Sequence, residues 1–387
     1  MVARNVGLTY FLKNKVTRIA SLGGIIVLLI SSWIVNTGLS APVIVTGDSE
    51  GSWTDSFEDE KGLEEKNDVV INSGEITLGS GGAFDPQNWT KQGLAVDIGS
   101  GNDYDTIYTQ HPSVMMDEGI YKMWYSGWNG SNTRILYATS IDGIVWNKQG
   151  LVLDLGAPGA LDDYGVAIPQ VIKDGTLFRM WYNGNDGAND RVFYANSTDG
   201  VNWNKQGMVM DIGSTGQLDD ESARPYHLLK ENGEYKLWYG GFDGSNYRML
   251  YANSTDGLSW TKQGIAINLG SPGSLDDMHI GGGSVMNDNG IYRMWYSGHD
   301  GSTYRILYAD SNDGLSWTKH GLALDKGSAG EFDDNQLAYP MVLKDIDWFY
   351  KMWYQGNDGS NSRIMLATSS YIPIEGNLTS INISIPI

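Results

Sequence analysis

The sequence predicts an all-β protein, a β-propeller of five four-stranded blades, from two repeated motifs and the composition. The first motif, YKMWY or a close variant, recurs every 57 or 58 residues. Its tryptophans are Trp124, Trp181, Trp238, Trp295 and Trp353. The second motif, WNKQG or a close variant, also occurs five times, beginning at Trp89. The chain has 50 Gly, 22 Tyr and 14 Trp among 387 residues, which is typical of many tight turns and repeated aromatic layers. A fixed period of about 57 residues therefore indicates a repeat fold.

The order of the two motifs predicts how the ring closes. The first WNKQG-type motif (89–93) precedes the first YKMWY, and no such motif follows the last YKMWY. We expect the segment around Trp89 to supply the outer strand of the blade that contains Trp353. Within the second blade, GVAIPQVIKDG predicts the inner strand, and LFRMWYNG, RVFYANS and VNWNKQG predict the next three. Because typical blades have roughly 40–50 residues, the surplus is expected in the loops between blades.

The N-terminal 40 residues are interpreted as a signal peptide or signal anchor. An apolar helix is predicted from Ile19 to Val35, near the lower length limit for a membrane-spanning helix. The basic residues that precede it are Arg4, Lys13, Lys15 and Arg18. They predict that the rest of the chain is exported, and the small residues 38–40 leave cleavage open. The protein is thus expected to be secreted, or anchored through this helix to the outer face of the cytoplasmic membrane.

Three segments follow. Residues 41–84 are predicted to be an acidic linker with a short β segment, residues 85–371 the propeller, and residues 372–387 a strand-like tail. The net charge of −20 argues against nucleic acid as a partner, because no basic patch offsets the repulsion. The absence of Cys excludes thiol catalysis and thiolate metal sites. No cofactor is indicated, although the acidic surface is compatible with Ca²⁺.

Two charged columns repeat with the blades. The acidic column consists of Asp105, Asp162, Asp219, Asp276 and Asp333. The basic column consists of Arg134, Arg191, Arg248, Arg305 and Arg363. One interpretation is structural, with each Asp capping turn amides or pairing with an Arg. The other is functional, with a carboxylate ring that binds Ca²⁺ or five equivalent sugar pockets.

Residues that break the fivefold repetition are the sharper candidates for ligand binding, since a central site needs asymmetry. On the predicted inner strands these are His111, Arg224, His227, His279 and Tyr339. One variable loop position holds Trp128, Asn185, Phe242, His299 and Asn357 in the five blades. The aromatic members of this loop position, Trp128, Phe242 and His299, are included among the predicted ligand-binding residues.

The SxDGxxW stretches beginning at Ser140, Ser197, Ser254 and Ser311, together with YKMWYSG and LYATS, carry a resemblance to a known group. Over residues 85–371 the chain resembles the five-bladed glycoside hydrolases of the arabinanase, xylosidase, invertase and levansucrase superfamily. That resemblance implies two catalytic carboxylates on inner strands of different blades, one of them a general acid. At the matching positions this chain has His111 in place of the Asp, and Ala223 or Arg224 in place of the Glu.

Three functional hypotheses follow. The first is an extracytoplasmic propeller that binds carbohydrate or a cell-surface partner without catalysis. The second is a glycoside hydrolase acting on extracellular glycans, with Asp105, Asp163 and Glu221 as its catalytic carboxylates. The third is a structural envelope protein, which predicts no ligand.

Overall fold

A computed structural model describes the backbone of residues 16–22, 25–33, 40–47, 53–57, 67–72, 75–80, 84–345 and 350–371. Side chains are described for residues 85–345 and 350–369. The chain divides into two compact units, residues 1–85 with 371–387, and residues 86–370. We call the first the N-terminal unit and the second the main unit. The predicted tail, 372–387, lies outside the described residues.

The N-terminal unit contains a six-stranded antiparallel sheet in which each strand pairs with the next along the chain. Its strands are β1 (Val16–Leu22), β2 (Ile25–Trp33), β3 (Ser40–Gly47), β4 (Trp53–Phe57), β5 (Asn67–Asn72) and β6 (Glu75–Ser80). Where the backbone is described between Ile19 and Val35, it therefore forms strands, not the predicted helix. An apolar run rich in β-branched Ile and Val suits either structure, and periodicity does not distinguish them. Among the described residues, no helix is long and apolar enough to cross a membrane.

The main unit is built from strands, and in its described residues the prediction of an all-β fold is confirmed. Its strands form five antiparallel groups of four, which we number repeats 1 to 5. Repeat 1 consists of β8 (Tyr108–Asp117), β9 (Ile120–Trp128), β10 (Thr133–Ser140) and β11 (Asn147–Leu153). Repeat 2 consists of β12 (Gly165–Asp174), β13 (Leu177–Asn185), β14 (Asp190–Ser197) and β15 (Asn204–Met210). Repeat 3 consists of β16 (Ser222–Glu231), β17 (Glu234–Phe242), β18 (Tyr247–Ser254) and β19 (Thr261–Ile267).

The last two repeats differ in where their strands come from. Repeat 4 consists of β20 (His279–Asp288), β21 (Ile291–His299), β22 (Tyr304–Ser311) and β23 (Thr318–Leu324). Repeat 5 consists of β24 (Gln336–Lys344), β25 (Tyr350–Asn357), β26 (Ser362–Tyr371) and, from the start of the main unit, β7 (Phe84–Val96). The segment around Trp89 thus pairs with β26, the third strand of the repeat that contains Trp353. The first strands of successive repeats lie in contact, and β24 contacts both β20 and β8.

The tryptophans of the first motif form the core of each repeat. All five are fully buried. The indole Nε1 of each donates to a backbone carbonyl just before or near the start of the fourth strand of the next repeat, as Trp181 does to Gly257 at 2.7 Å. The other acceptors are Gly200, Gly314, Pro86 and Gly143. Replacing a fully buried Trp of this kind by Ala typically costs ~3–5 kcal/mol.

The acidic column has a structural environment that repeats five times. Each Asp is buried, accepts a hydrogen bond from a buried Tyr hydroxyl at 2.8 to 3.1 Å, and pairs with a Lys at 2.6 to 2.8 Å. In repeat 2 the three residues are Asp162, Tyr182 and Lys205. In repeat 5 they are Asp333, Tyr354 and Lys91, so β7 supplies the lysine. We call these groups the Tyr–Asp–Lys triads.

Of the structural interpretations offered for the acidic column, pairing with the arginine column is not observed, because the partner of each Asp is a Lys. Each Arg instead binds an Asp or Asn just after a fourth strand, as Arg191 binds Asp211 at 2.8 Å. Four of them also bind the Asp of their own loop, Asp186 in this example. The lysine of the fourth strand reaches the buried carboxylate, which leaves the Arg to stabilise the loops.

Candidate functional site

A cavity of about 550 Å³ lies in the main unit where the first strands begin and the loops between second and third strands end. All five repeats contribute residues to its lining, but their fourth strands contribute none. The polar side chains include Gln110, Asn183, Asn185, Gln336 and Gln355, and the aromatic ones are Trp128, Tyr164, Tyr304 and Tyr339. We call this cavity the central pocket.

Three residues of the pocket lining have strained backbones. His111, Ile168 and Tyr339 have φ angles of 54°, 50° and 50°, and each precedes a proline. They occupy the same position of the first strand in repeats 1, 2 and 5, where a β-bulge interrupts the register. A left-handed conformation is costly for bulky or β-branched residues and clusters at functional sites. The bulge re-aims these side chains into the pocket.

Hydroxyl groups of the neighbouring repeat hold the strained backbone in place. The Ser126 Oγ accepts the Ile168 N–H at 2.9 Å, and the Ser297 Oγ accepts the Tyr339 N–H at 2.8 Å. Ser126 Oγ also lies 3.1 Å from His111 Nδ1. These hydrogen bonds offset the backbone strain, so the three strained residues are held in one conformation before a ligand binds.

The charged centre of the pocket is an ion pair between Asp190 and Arg224. Arg224 donates from Nε at 2.7 Å and from a terminal nitrogen at 2.6 Å, both to Asp190 Oδ2. Asp190 is 6 % exposed, and its Oδ1 accepts from the amides of Asn183 and Asn185 at 2.9 and 2.7 Å. Ser222 donates to Oδ2 at 3.2 Å. Of the residues lining the pocket, Asp190 is the one carboxylate and Arg224 the one cationic side chain.

The two groups hold each other ionised. Burial opposes ionisation of Asp190, but the Arg224 charge and the amide donors outweigh it, and the pKa of Asp190 is lowered. Burial would likewise lower the pKa of Arg224, whereas the Asp190 charge raises it overall. The pocket therefore carries one compensated charge pair, which differs from the net negative surface of the whole chain.

His111 and Tyr339 contact each other in the pocket lining. Their rings meet edge to face with centroids 4.1 Å apart, and Tyr226 lies 6.0 Å beyond Tyr339. Burial, and next the Arg224 charge, lower the pKa of His111 to about 3. His111 is thus neutral, and its ring takes part in packing and hydrogen bonding.

Two aromatic surfaces border the pocket. Trp128 lines it and stacks on Tyr108 at 4.9 Å. Tyr164, 57 % exposed, stands at the rim. On the other side the Arg224 guanidinium lies 4.8 Å above the Tyr247 ring.

The structure does not bring the three predicted catalytic carboxylates to this pocket. Asp105 belongs to a buried triad with Tyr125 and Lys148. Asp163 accepts the Gly159 N–H at 2.6 Å and stabilises its own loop. Glu221 has an exposed side chain beside the Gly244 turn, and its backbone N–H donates to Phe242. Repeats 3, 4 and 5 have the same loop contact as Asp163, through Asp220, Asp277 and Asp334.

Of the predicted ligand-binding residues, His111, Arg224, Tyr339 and Trp128 line the pocket, as does Asn185. His227 is buried between repeats with its ring 6.4 Å from that of Trp238, and burial lowers its pKa to about 4. Phe242 ends β17, His279 begins β20 and His299 ends β21, and none of the three belongs to the pocket lining. Asn357 is buried behind the lining and donates to the hydroxyl oxygen of Ser362 at 2.9 Å.

Asp190 was missed from the sequence, although the signal is present. In the five loops the residue directly before the repeated Arg is Thr133, Asp190, Tyr247, Tyr304 or Ser362. Asp190 is the single acidic residue of this column. It was not predicted because the repeated Arg that follows it was compared between repeats, and the position before that Arg was not. For metals, no cluster of three or more His, Asp or Glu side chains suited to an ion occurs in the part of the chain that the structure describes.

No family model matches the chain. Two uncharacterised proteins of Mycobacterium tuberculosis, MT1551 of strain CDC 1551 and Rv1502 of strain H37Rv, are each 29 % identical over 280 residues. The match covers 66 % of this chain and 90 % of each relative.

Among solved structures, the chain is similar to a glycoside hydrolase with a TM-score of 0.62 at 17 % identity, over 74 % of this chain and 93 % of the other. It is similar to a structure described as belonging to the GH130 family of mannoside phosphorylases and glycoside hydrolases, with a TM-score of 0.60 at 16 % identity, over 74 % and 94 %. A family 117 glycoside hydrolase of Zobellia galactanivorans gives 0.57 at 13 % identity, over 73 % and 90 %. The chain thus has the β-rich fold of glycosidase-like proteins, and at these identities the likeness concerns the fold alone.

Proposed function

We propose that the main unit is a closed five-bladed β-propeller and that its central pocket binds carbohydrate. Closure is supported where the ends of the main unit meet. Strand β7 pairs with β26, Lys91 reaches the buried Asp333, and Trp295 donates to Pro86. Trp353 of repeat 5 in turn donates to Gly143 of repeat 1 at 2.9 Å. Every repeat then has a neighbour on both sides.

The observation that carries the carbohydrate proposal is the composition of the pocket. Its volume of about 550 Å³ lies within the roughly 300–1,000 Å³ of small-molecule sites. Side-chain amides both donate and accept hydrogen bonds, and each sugar hydroxyl also needs a donor and an acceptor. The faces of Trp128 and Tyr164 offer apolar contact for the C–H face of a sugar ring. The neutralised Asp190–Arg224 pair supplies strong, fixed hydrogen-bonding groups without a net charge.

The place of action is proposed to be outside the cytoplasm. The basic residues before Ile19 and the strongly acidic remainder of the chain support it. The protein would be secreted, or held at the outer face of the membrane by its N-terminal segment. A cell-surface glycan would then be its partner.

Glycoside hydrolysis is the second candidate, and the solved neighbours described as glycoside hydrolases favour it over simple binding. Hydrolysis normally needs two carboxyl groups on either side of the scissile bond, one protonated as the acid. Asp190 is the one carboxylate in the pocket lining, and its pKa is lowered, which suits a fixed acceptor better than a proton donor. A second carboxylate would have to come from a loop such as that of Glu221. A structural envelope role remains the third hypothesis and predicts no ligand.

The test is a glycan array probed with the full chain, followed by mass spectrometry of every glycan that binds. Asp190→Asn should lower the affinity for the best glycan at least about tenfold, because Arg224 loses its charged partner. Asp186→Asn is the matched control, since Asp186 lies in the same loop but contacts Arg191 outside the pocket. Binding with an intact glycan supports recognition alone, and shortened products support hydrolysis. The proposal would be contradicted if no glycan on the array bound, or if Asp190→Asn and Asp186→Asn bound the best glycan with equal affinity.

A further inference from the structure

Five rings form a continuous series across repeats 3 and 4, next to the central pocket. Phe242 and Tyr247 stack with centroids 4.4 Å apart, and Tyr247 lies 6.0 Å from His279. His279 lies 5.6 Å from His299, which packs on Tyr304 at 4.4 Å. All five side chains are half-buried, so each presents part of its surface to solvent. We call this series the aromatic ladder.

Facing rings at the end of the second strand and the start of the third occur only in these two of the five repeats, since repeat 1 has Trp128 opposite Thr133. Each of the ladder's cross-strand pairs, Phe242 with Tyr247 and His299 with Tyr304, has counterparts in repeats 2 and 5. The counterparts are Asn185 with Asp190, and Asn357 with Ser362. No ring occupies these positions in repeats 2 and 5. Next to the pocket, repeats 3 and 4 therefore present aromatic side chains where repeats 2 and 5 present Asn.

The two histidines add hydrogen-bond donors to the ladder. His279 Nδ1 accepts the Tyr247 N–H at 3.2 Å, and His299 Nδ1 accepts the Gly301 N–H at 3.1 Å. Because Nδ1 accepts, the proton of each neutral ring is assigned to Nε2. Burial lowers the pKa of both rings, which keeps them neutral. Among the described residues the hydrogen bonds of both rings are made through Nδ1, which leaves each Nε2 N–H to donate to a ligand.

The ladder joins the pocket at two points. Tyr304 belongs to both, since it lines the pocket and packs on His299. Arg224 lines the pocket and covers the Tyr247 ring. The ladder is therefore contiguous with the pocket lining through these two side chains.

We propose that the aromatic ladder is an extended subsite that holds the second and third sugars of a glycan whose end lies in the pocket. The partly exposed rings and the two imidazole N–H donors match the C–H groups and hydroxyls of successive sugars. The ligand is thus an oligosaccharide or polysaccharide, and it runs over repeats 3 and 4. This inference rests on the proposed carbohydrate function.

The chain itself supplies the variant that tests the ladder. The double substitution Phe242→Asn and His299→Asn installs the residue that repeats 2 and 5 have at this position. Asn185 and Asn357 accept the N–H of Gly187 and Gly359 at 2.7 and 2.8 Å, the same contact that His299 makes with Gly301. The exchange should therefore preserve the fold of the loop, which an unchanged thermal midpoint would verify.

The measurement is affinity by titration calorimetry for glucose, mannose, xylose and arabinose and for their oligosaccharides of two to six sugars. For the series that binds, we expect the wild-type affinity to rise at least about tenfold from one sugar to three, and the double variant to lose this rise. Ser360→Ala, on the exposed turn of repeat 5, is the control and should keep it. A wild-type affinity independent of length, or a double variant that keeps the rise, overturns the ladder while leaving the pocket proposal in place. If no sugar of any length binds, both proposals are overturned.

Discussion

The Tyr–Asp–Lys triads and the central pocket are built on the same five repeats in opposite ways. The triads have the same three residue types in every repeat, with nearly the same distances. In the pocket, the position of Asp190 is occupied by Thr133, Tyr247, Tyr304 or Ser362 in the other repeats. A buried carboxylate that serves its own repeat is needed five times, whereas one ligand needs one arrangement. Residues that recur in all five repeats therefore stabilise the fold, and residues that differ between repeats form the pocket.

The largest expected effect comes from removing a triad carboxylate. Asp162→Ala leaves the buried Tyr182 hydroxyl and the Lys205 ammonium without their acceptor and opens a void. We expect the free energy of unfolding to fall by ~3–5 kcal/mol, measured by urea denaturation of the full chain. Sugar affinity in the folded fraction should be unchanged.

Its neighbour provides the matched control. Asp163→Ala removes one hydrogen bond to the Gly159 N–H from a half-buried side chain, for which about 1 kcal/mol is expected. If Asp163→Ala instead abolished glycan cleavage without a loss of stability, Asp163 would belong to the functional region, and the division between triads and pocket would fail.

A smaller effect should follow from removing a triad lysine, and it tests ring closure. Lys91→Met leaves the buried Asp333 with the Tyr354 hydroxyl as its remaining side-chain donor. Because the Lys91 side chain as a whole is 26 % exposed, the expected loss is about 2 kcal/mol. Lys148→Met, the same change in repeat 1, should cost as much, since its partner Asp105 is equally buried. If Lys91→Met kept the wild-type free energy of unfolding while Lys148→Met lowered it, β7 would not complete repeat 5 in solution.

The repeated part was more predictable from the sequence than the pocket. The YKMWY period located the buried tryptophans, because a residue needed in every repeat recurs visibly at a fixed spacing. The acidic column was also visible, but its Lys partner was not among the alternatives, because the sequence does not show that the fourth-strand lysine reaches the buried carboxylate. His111 and Arg224 were recognised as departures from the repeat. Asp190 was not, because its role depends on a contact with Arg224, 34 positions away in the next repeat.

The smallest expected effect concerns pH, and it separates the pocket from the repeat interior. Burial holds the pKa of His111 at about 3, and the Arg224 charge keeps that of Asp190 low, so the pocket changes no charge between pH 8 and 5. Sugar affinity should be constant over this range by titration calorimetry. A bell-shaped dependence would instead indicate a titrating acid and base, as hydrolysis requires.

Stability should behave differently, and His227 provides the test. Its pKa is about 4 in the folded chain, against about 6.5 when unfolded, because burial disfavours the charged ring. The unfolded state thus binds more protons between these values, and this group makes the protein less stable as pH falls from 6.5 to 4. Repeat 2 has Gln170 at the same position, so His227→Gln is a matched substitution. It should reduce the decline of the thermal midpoint over that window while affinity stays flat, whereas an unchanged slope would show that His227 is not held neutral by burial.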